Sequence, residues 1–317
     1  MNIIPFAIDN SDSLCYYHNH QPVFLLQLTN ERFKLMKNVK KALCILLALV
    51  MVTALAACGN TKPAETKPAY NTVVSGKLTV ATSPDFAPYE FYAVKDGTPE
   101  LAGFDIALAG YIANYLGLEL EIIPMDFDGV LNELASKNVD LGLAGLSPDP
   151  KRADAMDFST IYYQGGQSFV TVQANKDLFS SLEDTNNKAY SIGAQNGSIQ
   201  MDLANEYSPE ADIVALVKVT DIIAELLGGK LDGAYIETAV AENYAKSYPD
   251  LAIVLEVPYD TEGSAVGVAK GNEELLAGVN KAVEAALADG SMAKFIAEAN
   301  ELSTGEIIEG LLEDQAG

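Results

Sequence analysis

The chain has 317 residues, with 20 Lys and Arg against 44 Asp and Glu, 2 His and 3 Cys, and a formal charge of −24 at pH 7. So acidic a protein has little with which to neutralise phosphates, which excludes nucleic acid as a partner. So few His and Cys leave little room for a metal site or a disulfide framework, and where they fall decides the rest.

Lys37, Lys40 and Lys41 precede an uncharged stretch from Ala42 to Ala57 that closes on Leu55-Ala56-Ala57-Cys58. A basic stub, a short apolar run and a small-residue cleavage site make a secretory signal. The stretch has 16 residues, short of the roughly 20 needed to span a bilayer. The run resembles the lipobox of bacterial lipoproteins. That resemblance implies cleavage after Ala57, acylation of Cys58 and a mature chain anchored to the cell membrane by lipid. Met36 opens the basic stub, so residues 36–57 form the signal peptide. Residues 1–35 show no helical or strand period and read as an upstream extension from a misplaced start codon. The 260 residues from Cys58 to Gly317 hold 15 Lys and Arg and 41 Asp and Glu, a formal charge of −26. His18, His20, Cys15 and Cys44 are lost with the precursor, so the mature chain has no intrachain disulfide, no His/Cys metal site and no His-based catalysis.

Residues 58–75, rich in Thr, Lys, Pro, Ala and Asn, read as a flexible tether behind the lipidated Cys58. From Gly76 the pattern alternates. Leu78 to Ala81 is a strand, and Phe104, Leu108, Tyr111, Ile112 and Tyr115 fall at helical spacing until Gly117. Leu120 to Ile123 is a strand, Val130, Leu131 and Leu134 mark one helix face, and Val139 to Ala144 is a strand. This order predicts a parallel sheet with right-handed crossovers. A second set follows, with strands at Ala189 to Gly193, Ile213 to Leu216 and Gly233 to Ile236, and helices from Ser198 and over Asp221 to Leu227. A strand at Ala265 to Ala269 and helices over Asn272 to Ala288 and Ser291 to Leu302 close the chain, and the tail 303–317 is left unassigned.

In open α/β sheets ligands gather at the carboxyl ends of strands. Four loops stand there. In Thr82 to Tyr89 the aromatics either floor a pocket or plug the core. In Met125 to Gly129, Asp126 or Asp128 either caps a helix or flanks a ligand contact by Phe127. In Ala144 to Arg152 a fixed cation lies near backbone donors, where Arg152 either forks onto a carboxylated ligand or pairs with Asp154 or Asp157. Gln195-Asn196-Gly197-Ser198 leads into a helix whose free N–H groups suit an anion or simply need a cap.

Thr82 to Phe91, Gly103-Phe104-Asp105, Met125-Asp126-Phe127, Val139 to Gly145 with Arg152, Asp157-Phe158-Ser159 and the Gly197 turn together resemble solute-binding family three, the amino-acid-binding proteins of bacterial ABC importers. The resemblance runs from about Gly76 to about Glu301. It implies a two-lobed α/β fold of the periplasmic-binding-protein type II, with two hinge strands closing on one amino acid, in a monomer that needs no cofactor. Lobe one is 76–161 plus 267–302, lobe two is 167–261, and the hinges lie near Tyr162 to Gly166 and Glu262 to Val266. By the same resemblance Arg152 holds the ligand α-carboxylate, with Gly145 and Ser147 of its loop and the N–H groups of Gly197 and Ser198. Glu237 holds the α-ammonium, and Phe86 and Phe127 sandwich the side chain. The implied partners are a free amino acid and the membrane subunits of an ABC transporter.

The chain departs from the family pattern in places. Ser83 stands where many relatives have an Asp that meets a cationic side chain, which turns the reading toward a polar neutral ligand such as glutamine or cystine, unless Asp85 substitutes. Glu237 replaces the more frequent Asp, Asp149 stands where Thr is common, and Ile199 where some relatives have Thr. An enzyme on the same fold, similar to cyclohexadienyl dehydratases, would need a general acid or base, for which Glu237 and Asp85 are the candidates. An amino-acid sensor is the remaining alternative.

Overall fold

In a computed structural model of the protein, residues 70–95, 97–260 and 263–303 are described. The upstream extension 1–35, the signal peptide 36–57, Cys58, most of the tether and the tail beyond Ser303 lie outside them, as do Thr261 and Glu262 of the second hinge.

The chain first lays down β1 (Lys77–Thr82), a meander of β2 (Asp85–Phe86), β3 (Glu90–Lys95) and β4 (Thr98–Ala102), α1 (Phe104–Leu116), β5 (Glu119–Pro124), α2 (Phe127–Ala135), β6 (Leu141–Gly142) and β7 (Met156–Phe158). It then builds β8 (Gln167–Val172), α3 (Leu182–Thr185), β9 (Ser191–Gln195), α4 (Ile199–Tyr207), β10 (Asp212–Leu216), α5 (Val219–Leu227), β11 (Gly233–Glu237), α6 (Thr238–Ser247) and β12 (Leu251–Val257). It ends with β13 (Gly267–Ala269), α7 (Glu273–Ala288) and α8 (Ser291–Leu302).

Two five-stranded sheets result, ordered β5-β1-β6-β13-β7 and β10-β9-β11-β8-β12. Each repeats one plan: three parallel strands, then one that runs antiparallel to both its neighbours, β13 in the first sheet and β8 in the second. The expected all-parallel sheets are therefore mixed. The reason is topological, since β8 and β13 each enter their sheet from the other one and arrive running the opposite way. The chain crosses between sheets twice, after β7 and after β12, and the two crossings touch through an isolated antiparallel bridge between Tyr163 and Ser264. Two sheets linked by two crossings are the plan of a type II two-lobed fold.

Local sequence explains the elements that hold the cleft. β1 is buried over Leu78 to Thr82 because β5 and β6 flank it and helices cover its faces, as expected of a central parallel strand. α1 buries Phe104, Leu108, Ile112 and Leu116 at helical spacing, and Gly117 ends it in the left-handed region at φ 74°. α2 buries Phe127, Val130 and Leu134, and α5 buries Val219, Ile222, Ile223 and Leu226. Each such side chain contributes roughly 1.5–3 kcal/mol by leaving water. The strand expected over Val139 to Ala144 shrinks to Leu141 and Gly142, and the chain turns soon after at Gly145, where φ is +57°. The strand expected at Ala189 to Gly193 begins two residues later.

The first sheet also takes hold of the segment before it. The buried Asp140 carboxylate accepts from the Val73 N–H at 2.8 Å with one oxygen, and from the Thr79 N–H at 2.9 Å and the Thr79 hydroxyl at 2.7 Å with the other. Asp140→Ala leaves the buried Thr79 donors without an acceptor. It is expected to destabilise the protein by about 3 kcal/mol in urea denaturation, with the m-value unchanged.

Candidate functional site

The carboxyl ends of the parallel strands of both sheets face the crossings, and the sequence-predicted residues fall on loops there. On the first lobe, Gly145 turns the chain after β6. A Cβ at this position would stand 2.7 Å from the Phe86 ring, so the glycine lets the loop lie flat on that aromatic. Phe86 in turn leans on Tyr89, with ring centroids 5.3 Å apart. Ser147, two residues on, is buried. Phe127 is the first residue of α2, and Asp126 occupies the cap position without a side-chain cap bond.

Arg152 ends a short 3₁₀ turn at Pro150–Arg152, whose Asp149 cap accepts from the Lys151 N–H at 2.8 Å. Its guanidinium carbon lies 5.7 Å from the Phe127 ring centroid, a cation–π contact. One of its N–H groups donates to the Gly197 carbonyl of the second lobe at 3.1 Å. Neither carboxylate offered as a pairing partner takes it, since Asp157 binds Lys270 at 2.7 Å and the Gly271 N–H at 2.9 Å. Among the described residues Arg152 has no ion pair. Burial lowers its pKa, with Asp149 and Asp202 pulling the other way. Four of its five N–H donors remain for another acceptor.

On the second lobe, Gly197 sits at φ +71° between β9 and α4, where a Cβ would collide with the Asp128 carboxylate of the first lobe. Asp128 also accepts from the Asn196 side-chain amide. Ser198 is the cap of α4: its hydroxyl accepts from the Met201 N–H at 3.2 Å and donates to the Gln195 carbonyl at 2.7 Å. That hydroxyl is occupied by the cap, and the Ser198 N–H makes a 3.3 Å turn bond to Gln195.

Glu237 ends β11 and caps α6, accepting from the Val240 N–H at 2.9 Å. Its other oxygen accepts from the Tyr89 hydroxyl of the first lobe at 3.0 Å. At 4% exposure and with no cation beside it, its carboxyl is pushed up to about 7 by burial. Gly165, on the first crossing, lies against this pair, and a Cβ there would stand 2.8 Å from the Glu237 carboxylate.

Ser83 does not stand free in the cleft. Its hydroxyl donates to Asp85 at 3.0 Å, and the other Asp85 oxygen accepts from the Val219 N–H at the start of α5 at 2.6 Å. Burial lifts the Asp85 carboxyl to about 6. Phe86 and Phe127 make no ring contact with each other: one belongs to Tyr89, the other to Arg152. Sequence reasoning missed Tyr89 as a partner of Glu237, Asp128 as a partner of Asn196, and Val219 as a donor to Asp85. Each bond joins residues at least 68 positions apart, and no local pattern signals it.

With this geometry in hand, the chain can be set beside known proteins. The profile of the bacterial extracellular solute-binding proteins, family 3, matches residues 78–299. The chain belongs to that family. It is 35% identical to the arginine-binding extracellular protein ArtP of Bacillus subtilis over 81% of this chain and 96% of that protein. It is 28% identical to the ABC transporter arginine-binding protein 1 of Escherichia coli over 69% of this chain and 88% of that one. Its fold matches the Streptococcus pneumoniae amino acid ABC transporter substrate-binding protein AbpA, solved bound to L-arginine, with TM-score 0.69, 36% identity, and 72% and 96% of the two chains covered. This family member is thus a solute-binding receptor that works outside the cytoplasm. Among the described residues no helix is long and apolar enough to cross a membrane, and no cluster of His, Cys, Asp or Glu could hold a metal ion.

The Asp85 bond to Val219 joins the lobes through a charge-assisted hydrogen bond of about 1.5–3 kcal/mol. In Asp85→Ala, amide exchange at Val219 is therefore expected to accelerate at least about tenfold while amides inside both sheets keep their protection.

Proposed function

We propose that this receptor binds one free amino acid between its lobes and presents it to an ABC importer. A single observation carries the reading: a half-buried guanidinium and a buried carboxyl, Arg152 at the end of a 3₁₀ turn and Glu237 at the end of β11, belong to opposite lobes, and neither has an ion partner among the described residues. A zwitterion supplies both missing partners at once. Its α-carboxylate meets Arg152 with the loop Gly145 to Ser147 and the Gly197 turn, and its α-ammonium meets Glu237. Phe86 and Phe127 line the side-chain space. Only the closed arrangement uses both charges, so ligand pulls the hinge equilibrium toward closure.

Arginine is the first ligand to test. Two of the relatives named above are arginine-binding proteins and the third was solved with L-arginine bound, and Asp85 is a second buried carboxylate without a cation, two residues from Ser83, which replaces the expected acid. An ancestral arginine-binding protein solved with glutamine, 34% identical with TM-score 0.65, keeps neutral polar ligands in the panel. The chain also resembles an ancestral amino-acid-binding protein described as a precursor of cyclohexadienyl dehydratase, at 30% identity. The unpaired charges favour binding over turnover, since an uncompensated cation and anion call for a charged ligand rather than for a proton-transfer pair. Anchoring through lipid on Cys58, a monomeric state and a lobe division at the two crossings complete the proposal.

A thermal-shift screen of ligand-stripped protein against the twenty amino acids and cystine tests this, because a ligand at a hundredfold excess over Kd adds about 2.7 kcal/mol. Arginine is expected to shift the protein most, and Arg152→Ala to abolish the shift while keeping the unliganded Tm. A shift with no amino acid, or full affinity in Arg152→Ala, would overturn the reading. The Glu237 carboxyl, at about 7, must be ionised to pair with an ammonium. Below that pH binding has to expel a proton, so affinity is expected to fall by up to about tenfold per pH unit, and Glu237→Gln to flatten that dependence.

A further inference from the structure

The Gly103-Phe104-Asp105 motif takes no part in the cleft described so far, yet it ends in a wholly buried carboxylate. Gly103, at φ +121°, admits the start of α1 so close to the Tyr89 carbonyl that any side chain at 103 would collide with it. The Phe104 N–H then donates to Pro88 at 3.2 Å and the Asp105 N–H to Tyr89 at 2.9 Å. This seats Asp105 beside Glu90, the first residue of β3, and both are 0% exposed.

No cation lies with them. The Glu90 carboxyl and the Tyr162 hydroxyl both turn to Asp105, whose carboxyl their hydrogen bonding lowers against its burial, and none of Glu90, Oδ1 of Asp105 or the Tyr162 hydroxyl has another hydrogen-bond partner among the described residues. The fourth carboxyl oxygen, Oδ2 of Asp105, accepts from the Gly145 N–H at 3.0 Å. Two buried carboxyls without a cation cannot both ionise. Asp105 has a backbone donor and Glu90 has none, so the shared proton rests on Glu90 and the anion on Asp105. Burial raises both, Asp105 to about 6 and Glu90 further. The titratable groups around the pair are the phenols of Tyr162 and Tyr89 facing Asp105, and Asp85 within reach of Glu90.

Gly145 is the pivot of the loop that carries Ser147 and leads to Arg152. Its φ is +57°, the Phe86 ring fills the space a Cβ would take, and its N–H is held by Asp105. We propose that Asp105, seated beside Glu90, is a positioning residue for ligand: it fixes the Gly145 N–H and through it the curvature of the Gly145 to Ser147 loop. It touches no ligand itself. The inference rests on the reading of that loop as part of the amino-acid site.

The test is amide NMR and calorimetry on the full chain. In the unliganded wild type the Gly145 amide proton is expected to move between about pH 5 and 7 as Asp105 takes up its proton, and in Asp105→Asn to stay still. At pH 7.5, Asp105→Ala is expected to lose at least about tenfold in affinity for the amino acid found by the thermal-shift screen, while Asp105→Asn, whose amide oxygen can still accept from Gly145, stays within about threefold of wild type. A Gly145 amide that ignores pH, or an Asp105→Ala variant with wild-type affinity, would overturn the proposal. If Asp105→Ala fails to fold, the Gly145 titration in wild type and Asp105→Asn decides alone. That titration needs no ligand, so a protein that binds no amino acid but keeps it refutes the ligand reading and not the role of Asp105 in the loop.

Discussion

Arg152 and Glu237 govern the rest of the cleft because the fold takes both partly or wholly out of water and gives neither an ion partner. An isolated buried charge is expensive, and the protein limits the expense differently for each. Arg152 keeps its charge by lying over the Phe127 ring and donating to Gly197. Glu237 takes backbone and phenol donors, and its carboxyl sits at about 7 instead of near 4.5. Both groups are thus left without an ion partner among the described residues, which is the basis of the proposed binding of a zwitterion. The surrounding glycines, at 145, 165 and 197, let backbone approach where a side chain would collide.

The lobes meet through polar contacts more than through a shared ion-pair network. Asp85 takes the Val219 N–H, Tyr89 donates to Glu237, Asp128 takes the Asn196 amide and Arg152 donates to Gly197. Lys151 and Asp202 add one exposed ion pair, which contributes little. Tyr89 connects the lobe contacts to the hinge as well, with the Ser264 hydroxyl 3.5 Å from its own.

Buried acids recur through this architecture. Asp85, Asp105 and Glu237 are all held above their ordinary values by burial. For carboxyls raised in the folded state, the unfolded chain gives up its protons first as pH rises. Their contribution to stability is therefore largest below about pH 4 and declines as pH climbs toward about 7.

The sequence by itself determined what depends on near neighbours. The helical period of Phe104, Leu108 and Ile112, the stop at Gly117, the run of Leu78 to Ala81 and the loops carrying Arg152, Gly197 and Glu237 were all legible, because spacing and turn chemistry act within a few residues. The family pattern added the two-lobed plan. The antiparallel β8, with its buried Gln167, Ser168 and Thr171, gave no apolar run to read, and neither it nor the short β7 was anticipated. Only tertiary structure decided which strands inserted from the opposite lobe, that Ser83 serves Asp85, that Asp157 belongs to Lys270 and not to Arg152, and that Asp105 reaches the Gly145 N–H. These pairings join residues brought together by two crossings of the chain or by the seating of one helix on a strand. A hydrogen bond needs about 3 Å, and no rule of local spacing can supply that.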